Sequence, residues 1–364
     1  MKISIILGTR PEIIKMSPVI RECEKQNLNY FLLHTGQHYD YKLDKIFFDE
    51  LELPAPKYNL EVGSGSHAEE TGKMLIGIEK VLQKQGVDIV LVEGDTNTVL
   101  AGVLAAAKLG RKSGHVEAGL RSYDRNMPEE INRVVADHVS AFLFAPTEKS
   151  RENLIKEGID ANKIFITGNT VVDAVFQNLE IGKEKSRILD RLNLKSREFL
   201  LVTTHRQENV DDKKRLGQIL KGLDLVHKEF GFVIIYPIHP RTEKKLEEFR
   251  LKIPEGVRLV KPVGYLDFLQ LEANARLVLT DSGGLQEESC VLKVPCVTLR
   301  DNTERPETLE VGANILAGTN PEEVLECAKL MINNREKNWK NPFGDGEAGR
   351  RIIKILKERG RGKQ

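Results

Sequence analysis

The fold class of this chain is decided by residues 276–288, whose sequence is Arg-Leu-Val-Leu-Thr-Asp-Ser-Gly-Gly-Leu-Gln-Glu-Glu. The apolar residues 277–279 predict a buried strand that stops at Asp281. Ser282, Gly283 and Gly284 predict a tight turn, and a helix is expected from Leu285 onward. Unpaired N–H groups at such a helix start, with the positive end of the helix dipole, favour an anion, most often phosphate.

Two features of this segment bear on a ligand. The glycines let the backbone approach a bound group closely. Glu288 follows about one helical turn later, where its carboxylate can reach hydroxyls such as those of a ribose. The same residues are also compatible with a plain strand–helix turn that binds nothing, since serine and glycine are common in turns.

The rest of the chain alternates short apolar runs with segments of helical periodicity. The predicted strands are Ile3–Leu7, Tyr30–His34, Ile89–Glu93, Lys112–Val116, Phe142–Ala145, Lys163–Ile166, Phe199–Thr203, Phe232–Tyr236, Val257–Val260, Leu277–Thr280, Val294–Leu299 and Asn314–Leu316. Predicted helices include Pro11–Lys25, Thr96–Leu109, Pro128–Val139, Lys213–Glu229, Pro321–Asn333 and Glu347–Glu358. This alternation predicts an α/β fold with two Rossmann-like, doubly wound domains whose strand ends face a central cleft.

The 364 residues are too many for one ordinary core, so two domains are expected. We predict an N-terminal domain over residues 1–168 and a C-terminal domain over 169–345. The segment 346–364 predicts an amphipathic helix with no following strand, which we expect to pack back on the first domain.

Composition excludes several classes of partner. The net charge of +1 gives no electrostatic case for nucleic acid or for acidic membranes. The apolar start, Ile3–Leu7, is too short for a signal sequence, and no run approaches transmembrane length. The four cysteines lack metal-type pair spacing and suggest a reducing compartment. We therefore expect a cytoplasmic protein without a metal.

In the first half of the chain, charged residues follow the strand ends. Arg10 and Lys15, at the first helix start, are candidates for cationic contacts to a diphosphate, although both could be solvated surface residues. Asp95, Glu117 and Glu129 lie at or after successive strand–helix junctions. Taken alone, Asp95 favours a helix cap, and a first-turn glutamate such as Glu129 is an ordinary dipole partner. Three carboxylates converging on one crevice would raise some of their pKa values, which suits acid–base chemistry.

The second half offers matching candidates. His205 and His239 follow two strand ends, where His205 could donate to a phosphate or protonate a leaving group, or simply cap a helix. Phe268 could present a ring face to a base, although the sequence by itself favours a core residue. The charged loop 300–307 is suited to sugar or phosphate contacts. Neither Walker-A spacing nor Gly-x-Gly-x-x-Gly occurs, which disfavours a nucleotide triphosphatase or a nicotinamide dehydrogenase.

Six motifs occur in order along the chain: Gly-Thr-Arg-Pro-Glu (8–12), Glu-Gly-Asp-Thr (93–96), His-Val-Glu-Ala-Gly-Leu-Arg (115–121), Pro-Glu-Glu-x-Asn-Arg (128–133), Thr-Asp-Ser-Gly-Gly-x-Gln-Glu-Glu (280–288) and Arg-Asp-x-Thr-Glu-Arg-Pro-Glu (300–307). Together they resemble the non-hydrolysing UDP-N-acetylglucosamine 2-epimerases over essentially the whole chain. The resemblance implies a glycosyltransferase-B architecture, a homodimer, and the interconversion of UDP-GlcNAc and UDP-ManNAc through 2-acetamidoglucal. It implies neither a cofactor nor a metal, since the reaction is redox-neutral.

The resemblance also implies roles for individual residues. Asp95, Glu117 and Glu129 would be the acid–base set, without an indication of which residue serves which face of C2. His205 would act in catalysis and, with Arg10 and Lys15, contact the diphosphate. The UDP site would comprise Phe268, Ser282, Gly283, Gly284, Glu288 and Arg305.

A second, regulatory UDP-GlcNAc site is implied only in part. Gln37, His38, Arg206 and His239 match its pattern. Asp40 stands where bacterial members have a second glutamine, and residues 64–65 are Ser-Gly where an Arg-Gln pair is usual. We therefore expect weak or absent activation by UDP-GlcNAc. The loop before Pro128 is also slightly shorter than in typical bacterial members.

Three alternative functions remain open from sequence. A sibling 2-epimerase could act on another UDP-N-acyl sugar, such as a diacetamido-uronic acid, by the same elimination. A glycosyltransferase of the same fold would need an acceptor site and would have little use for three converging carboxylates. A non-enzymatic sensor of sugar nucleotides would not need acid–base residues.

Overall fold

The structure is a computed structural model that describes residues 1–36, 47–333 and 338–360. It divides into two compact units. Unit 1 comprises Met1–Gln177 and Phe343–Gln364, and unit 2 comprises Asn178–Pro342. The sequence-based boundary at 168/169 lies just before the helix Thr170–Lys185, whereas the structural division falls within that helix.

Each unit contains one parallel sheet, which confirms the predicted α/β class. The seven strands of unit 1 are β1 (Lys2–Leu7), β2 (Asn29–His34), β3 (Tyr58–Asn59), β4 (Ile89–Glu93), β5 (Lys112–Val116), β6 (Phe142–Ala145) and β7 (Ile164–Ile166). The six strands of unit 2 are β8 (Phe199–Thr203), β9 (Val233–Pro237), β10 (Val257–Val260), β11 (Val278–Thr280), β12 (Cys296–Thr298) and β13 (Asn314–Leu316).

Helices connect the strands. They are α1 (Arg10–Lys25), α2 (His67–Gln85), α3 (Asn97–Lys108), α4 (Pro128–Val139), α5 (Glu148–Lys156), α6 (Thr170–Lys185), α7 (Ile188–Arg191), α8 (Gln207–Val210), α9 (Lys213–Phe230), α10 (Pro240–Phe249), α11 (Tyr265–Asn274), α12 (Gly283–Val291), α13 (Pro306–Glu310), α14 (Pro321–Asn333) and α15 (Ala348–Arg359), with a 3₁₀ turn at Ala161–Lys163.

The strand order reverses once in each sheet. The orders are β3-β2-β1-β4-β5-β6-β7 and β10-β9-β8-β11-β12-β13. Connections therefore leave in opposite directions from β1 and β4, and from β8 and β11. In doubly wound sheets ligands bind outside the carboxyl ends of the strands at this reversal. Each unit thus has one topologically favoured position for a ligand.

The central strands form because their residues are apolar on both faces. All five residues of β4 are buried, and so are the first four of β8. A parallel sheet covered by helices on both faces requires continuous apolar runs of this kind. Helices such as α9, with Leu216, Leu220 and Leu223 buried, pack on the sheet of unit 2.

The last helix belongs to unit 1, as its apolar stripe requires. Ile352, Ile353 and Leu356 of α15 are buried, and α15 packs against α1. Asp173 accepts a 2.9 Å hydrogen bond from the backbone N–H of Gly349 at the start of α15. Burial raises the pKa of Asp173 to about 6, although hydrogen bonds from Gly349 and Ala348 act to lower it.

Candidate active site

The strand reversal of unit 1 brings a half-buried lysine into contact with two buried carboxylates. Lys15 of α1 lies between Glu93, at the end of β4, and Glu117, just after β5. Its Nζ is 3.2 Å from Glu93 Oε1 and donates a short hydrogen bond to Glu117 Oε2. Both carboxylates are almost fully buried, with side-chain exposures of 2% and 4%. The charge of Lys15, expected on a diphosphate, is therefore already engaged by two carboxylates.

Glu117 occupies an unusual backbone conformation. Its φ is +70°, in the left-handed region that residues with a side chain rarely adopt. Such strain is kept where the surroundings over-determine it, which is common at functional sites. Here the contact with Lys15 and the tight turn that follows β5 fix the carboxylate at the sheet edge.

Asp95 lies at the end of the neighbouring strand and is held by α4. Arg133 donates a short hydrogen bond to its carboxylate, and Asn132 donates to its carbonyl oxygen at 2.9 Å. The Asp95 side chain is 35% exposed, so a ligand can reach it. Thr96, and not Asp95, is the residue that immediately precedes α3. The helix-capping interpretation of Asp95 therefore does not hold.

Glu129 and Glu130 differ sharply although they are neighbours. Glu130 is buried and accepts hydrogen bonds from the N–H groups of Ser122 and Tyr123, at 2.9 and 3.0 Å, which fixes the loop after Glu117. Glu129 is exposed on the first turn of α4. Within the described part of the chain, no contact joins Glu129 to Asp95.

A buried ion network fixes the same loop from beneath. His115 donates from Nδ1 to Asp137 Oδ1 at 2.6 Å and from Nε2 to the carbonyl oxygen of Gly94 at 2.7 Å. A carboxylate and a carbonyl can only accept, so both ring nitrogens carry protons. Burial acts to lower the pKa of His115, but the Asp137 carboxylate and the Gly94 carbonyl raise it overall. The imidazolium thereby ties Gly94, which precedes Asp95, to the strand that leads to Glu117.

Asp137 also compensates a second cation. Its Oδ2 lies 2.7 Å from Nη1 of Arg121 and accepts from the N–H of Gly119 at 3.1 Å. Burial acts to raise the pKa of Asp137, yet His115 and Arg121 together hold it below its ordinary value. The guanidinium of Arg121 also forms an ion pair with Glu157, with Nε 2.7 Å from Oε1. The network contains two positive and two negative charges.

The start of α1 is capped by Glu12. This buried carboxylate accepts from the N–H of Thr9 at 2.7 Å, and also from the N–H of Gly8 and the hydroxyl of Thr96. Burial raises the pKa of Glu12 to about 7, against the lowering effect of these hydrogen bonds. Arg10 is exposed at the same turn, with its guanidinium carbon 5.9 Å from the ring centre of Phe47.

In unit 2, a cavity opens at the reversal between β8 and β11. Its volume is about 280 Å³, and mostly apolar atoms line it. His205, His239, Phe268 and Ser282, all predicted site residues, line this one cavity. A small, largely apolar cavity with few polar groups suits a planar ring such as a nucleobase.

Asp281 organises the polar side of this cavity. It is fully buried and accepts from the N–H groups of His205 and Arg206 at 3.1 Å and from Asn209 at 3.2 Å. Nδ1 of His205 is also 3.2 Å from its carboxylate. Burial acts to raise the pKa of Asp281, but these partners lower it overall. His205 itself is 44% exposed, oriented by Asp281 rather than capping a helix.

The helix after β11 begins two residues earlier than the sequence predicts. Gly283 and Gly284 form the first turn of α12, and Ser282 precedes it without a side-chain cap. The N–H groups of this first turn have no acceptor within the helix. An added Cβ would meet only Glu304 at 3.6 Å or Ser282 at 3.9 Å. Packing within the protein therefore does not require these glycines, whereas close approach of a ligand would.

Glu288 and Arg305 both have protein partners. Glu288 accepts from the hydroxyl of Tyr265 at 3.1 Å and lies near a second buried carboxyl, Glu272. Burial, followed by the charge of Glu288, raises the pKa of Glu272 well above its usual range. Nε of Arg305 lies 2.8 Å from Glu287.

Part of the expected regulatory set can be placed. Gln37 and His38 lie outside the described residues, as does Asp40. His239 is exposed and caps α10, since its Nδ1 accepts from the N–H of Arg241 at 3.2 Å. Arg206 is 37% exposed and lies 3.9 Å from Glu304.

Several buried polar residues of these sites are absent from the predicted site residues, among them Glu93, Asp137, Glu272 and Asp281. Glu93 and Asp281 lie at strand ends, and that position alone could have marked them. Asp137 and Glu272 lie on helices, where no sequence signal separates them from surface acids. Across residues 1–36, 47–333 and 338–360, no group of three or more His, Cys, Asp or Glu side chains could hold a metal ion. None of the described helices has the length and apolarity needed to cross a bilayer.

A family model described as UDP-N-acetylglucosamine 2-epimerase matches residues 21–357. The chain belongs to this family. It is 58% identical to the UDP-N-acetylglucosamine 2-epimerase of Methanocaldococcus jannaschii over 98% of this chain and 99% of that protein. A crystal structure of the M. jannaschii UDP-GlcNAc 2-epimerase, in complex with UDP-GlcNAc and UDP, superposes with a TM-score of 0.88 at 58% identity, covering 98% of this chain and 100% of the other.

A more distant relative has a different substrate in its name. The UDP-2,3-diacetamido-2,3-dideoxy-D-glucuronate 2-epimerase of Pseudomonas aeruginosa is 41% identical over 98% of this chain and 99% of that protein. Both relatives are 2-epimerases of UDP-sugars. The comparison supports the predicted class of enzyme and keeps the sibling substrate as the relevant alternative.

We predict that Asp137→Ala destabilises this epimerase-family protein by about 3–5 kcal/mol, because His115 and Arg121 would be left buried without their shared carboxylate. The urea-unfolding midpoint measures this. Glu148→Ala, which removes an exposed ion pair with Arg151, is the control and should barely move the midpoint. Equal midpoints for the two variants would show that the buried network contributes nothing to stability.

We predict that Gly284→Ala folds with unchanged or slightly higher stability, by up to about 1 kcal/mol, since alanine favours helix and its Cβ has room. Its affinity for UDP, measured by calorimetry, should fall because the Cβ occupies the space of the ligand. Gly8→Ala is the contrasting control, because its Cβ would lie 2.1 Å from Thr98 Oγ1 and should cost stability. Wild-type UDP affinity in Gly284→Ala would exclude this helix start as the anion site.

Proposed function

We propose that this chain catalyses the reversible C2 epimerisation of UDP-GlcNAc and UDP-ManNAc, by elimination of UDP to 2-acetamidoglucal and re-addition. One observation carries the proposal: at the strand reversal of unit 1, the buried Glu117 carboxylate is charge-compensated by Lys15 and held on a backbone with a positive φ. Asp95 follows the adjacent strand and remains open to a ligand. Stability gives little reason for such an arrangement, whereas proton transfer is served by carboxylates that are held in position.

The reaction requires groups of this kind. C2 of the sugar has no adjacent carbonyl, so its hydrogen is barely acidic. Departure of UDP from C1 builds positive charge there and acidifies the C2–H bond. A base takes the C2 proton, the C1–O bond breaks with its electrons going to UDP, and a C1–C2 double bond forms. An acid then protonates C2 on the other face while a UDP oxygen re-forms the bond to C1.

We assign the acid–base work to unit 1. Glu117 and Asp95 are supported by their fixed positions at two neighbouring strand ends. Glu129 is supported only by the family resemblance and its place at the start of α4. Arg10, exposed at the start of α1, is the better-supported diphosphate contact of that unit, since two carboxylates engage Lys15.

We assign the nucleotide contacts to unit 2. The cavity beside Phe268 suits the uracil ring, and the N–H groups at the start of α12 suit the diphosphate. His205, oriented by Asp281, would donate to a phosphate oxygen as the C1–O bond breaks. Glu288 would bind ribose hydroxyls, and Arg305 would add a positive charge, as the resemblance implies.

The substituents at C3 and C6 of the sugar are the main alternative. The P. aeruginosa relative is named for a diacetamido-uronate. The higher identity to the M. jannaschii enzyme favours UDP-GlcNAc here. Parallel assays with UDP-GlcNAc and with the UDP-diacetamido-uronate distinguish the two substrates. Faster turnover of the uronate would contradict the assignment of UDP-GlcNAc.

Two further properties belong to the proposal. The family resemblance supports a homodimer. Light scattering tests this, and a measured mass of one chain, 41.1 kDa, would contradict it. A cytoplasmic location is supported by four cysteines that are all buried and unpaired with one another. Cell fractionation checks the location.

We predict that incubation with UDP-GlcNAc alone in D2O places deuterium at C2 of both recovered UDP-sugars, without added metal or nicotinamide, as NMR would show. The reason is that the proton removed from one face is not the proton returned to the other. Asp95→Asn, Glu117→Gln and Glu129→Gln should each slow the reaction by ~10²–10⁴-fold, the usual contribution of a general acid or base, while still binding UDP.

Two outcomes would contradict this prediction. Epimer that retains its C2 proton would exclude elimination. Near-normal turnover in all three variants would show that these carboxylates have structural roles and do not act as acids or bases. His205→Ala serves as the comparison, since it should weaken UDP binding as well as rate.

We also predict weak or absent activation by UDP-GlcNAc of the reaction started from UDP-ManNAc. Ser64 and Gly65 supply no charge to an effector, and loss of a charge-assisted hydrogen bond, worth about 1.5–3 kcal/mol, matches a whole allosteric coupling energy of about 1–3 kcal/mol. Initial-rate curves at trace UDP-GlcNAc measure this. Steep activation that His239→Ala abolishes would show a working effector site.

A further inference from the structure

Glu93 is a buried carboxyl group to which the proposed reaction gives no role. It ends β4, beside the end of β5, and its side chain is 2% exposed. Lys15 lies 3.2 Å from its Oε1, and Glu117 lies within hydrogen-bonding reach. It therefore lies beside Glu117, one of the carboxylates to which we assign the acid–base work.

The charges around Glu93 do not balance if every acid is ionised. From α1 it faces Lys15 and Glu12, and from the end of β5 it faces Glu117. His115, which lies behind Glu117, is already compensated by Asp137. Three carboxylates and one ammonium would leave two uncompensated negative charges out of water, which costs several kcal/mol per ion. At least one of the three acids therefore keeps a proton.

The contacts of the three acids differ. Burial raises the pKa of Glu12 only to about 7, because two backbone N–H groups and a hydroxyl donate to it and favour its charged form. Glu117 accepts the closest contact of the ammonium. Glu93 has the longer contact with Lys15 and a like-charged neighbour. Burial, opposed by Lys15 and reinforced by Glu117, raises its pKa well above the ordinary range.

We propose that Glu93 is a positioning residue that keeps one proton at neutral pH and donates it in a hydrogen bond to Glu117. Glu117 is then ionised and fixed between this proton and Lys15, ready to accept the C2 proton. The inference rests on the proposed function for its kinetic consequence, but the proton on Glu93 can be observed without any turnover. When pH rises and Glu93 loses its proton, a second negative charge faces Glu117, and the hydrogen bond that positions it disappears.

The first test is the carbonyl stretch of a protonated carboxylic acid, which a carboxylate lacks, in infrared difference spectra at about pH 8. We expect wild type minus Glu93→Gln to show one such band. Asp173→Asn is the matched control, because this buried acid has a pKa of about 6 and is ionised at that pH. Its difference spectrum should lack the band. Absence of the band from the Glu93→Gln difference would overturn the proposal, whether or not the protein epimerises UDP-GlcNAc.

The second test is the pH profile of C2 exchange in D2O. Glutamine keeps an N–H donor that no base removes. Glu93→Gln should therefore lose less than the ~10²-fold that removal of a general base costs, and should lack the alkaline decline of the wild type. Asp173→Asn should keep the wild-type profile. An unchanged alkaline decline in Glu93→Gln would show that Glu93 does not act on Glu117.

Stability supplies a readout from the same variants. The folded pKa of Glu93 lies above its unfolded value, so its contribution is complete below the unfolded pKa and is lost as pH rises through the folded pKa. The melting temperature of Glu93→Gln relative to wild type should therefore increase as pH is raised. A variant that failed to fold would contradict the proposal, since glutamine closely matches the neutral acid in shape and hydrogen bonding.

Discussion

The constraint on which both units depend is that parallel strands end on one edge of a sheet, and that the strand order reverses there once. Between β1 and β4, and between β8 and β11, the connecting helices leave in opposite directions, so neither covers the strand ends. Helix starts with unsatisfied N–H groups and strand-end side chains are then brought together without a dedicated loop. Arg10, Glu93 and Glu117 share this edge in unit 1, and His205 and Ser282 share it in unit 2.

Placing acids at a buried edge creates an electrostatic cost that the surrounding residues must offset. In unit 1, Lys15 compensates the charge of two carboxylates. His115 and Arg121 compensate the charge of Asp137. Unit 2 repeats the device with Asp281, which is ionised because three neighbouring donors bond to it. A buried ion pair with full hydrogen bonding fixes geometry more than it adds stability. The same interactions that hold the acids in place therefore also set their protonation states.

Much of this fold is predictable from sequence because it depends on local patterns. Apolar runs located every strand of the two sheets except β3, whose two residues, Tyr58 and Asn59, are too few to form a pattern. The sequence predicts the start of α12 two residues too late. Glycine indicates a turn in a sequence pattern, although a helix start tolerates it. Pairings are harder, since Lys15 and Glu117 are 102 residues apart and no local signal joins them. Strand-end position makes Asp95 and Glu117 candidates from sequence, whereas the protonation state of a buried acid depends on neighbours that only the folded chain assembles.

The central claim is that the bond between C1 and the diphosphate breaks and re-forms, and that Glu117 takes part in transferring the C2 proton at the same site. Positional isotope exchange tests this most directly, with UDP-GlcNAc that carries ¹⁸O in the oxygen joining C1 to the β-phosphorus. If UDP departs, rotation of its β-phosphate spreads the label into the non-bridging positions. We expect the wild-type protein to scramble the label. In Glu117→Gln we expect both the scrambling and the epimerisation to be lost. Epimerisation that leaves the label entirely in the bridging position would contradict the account.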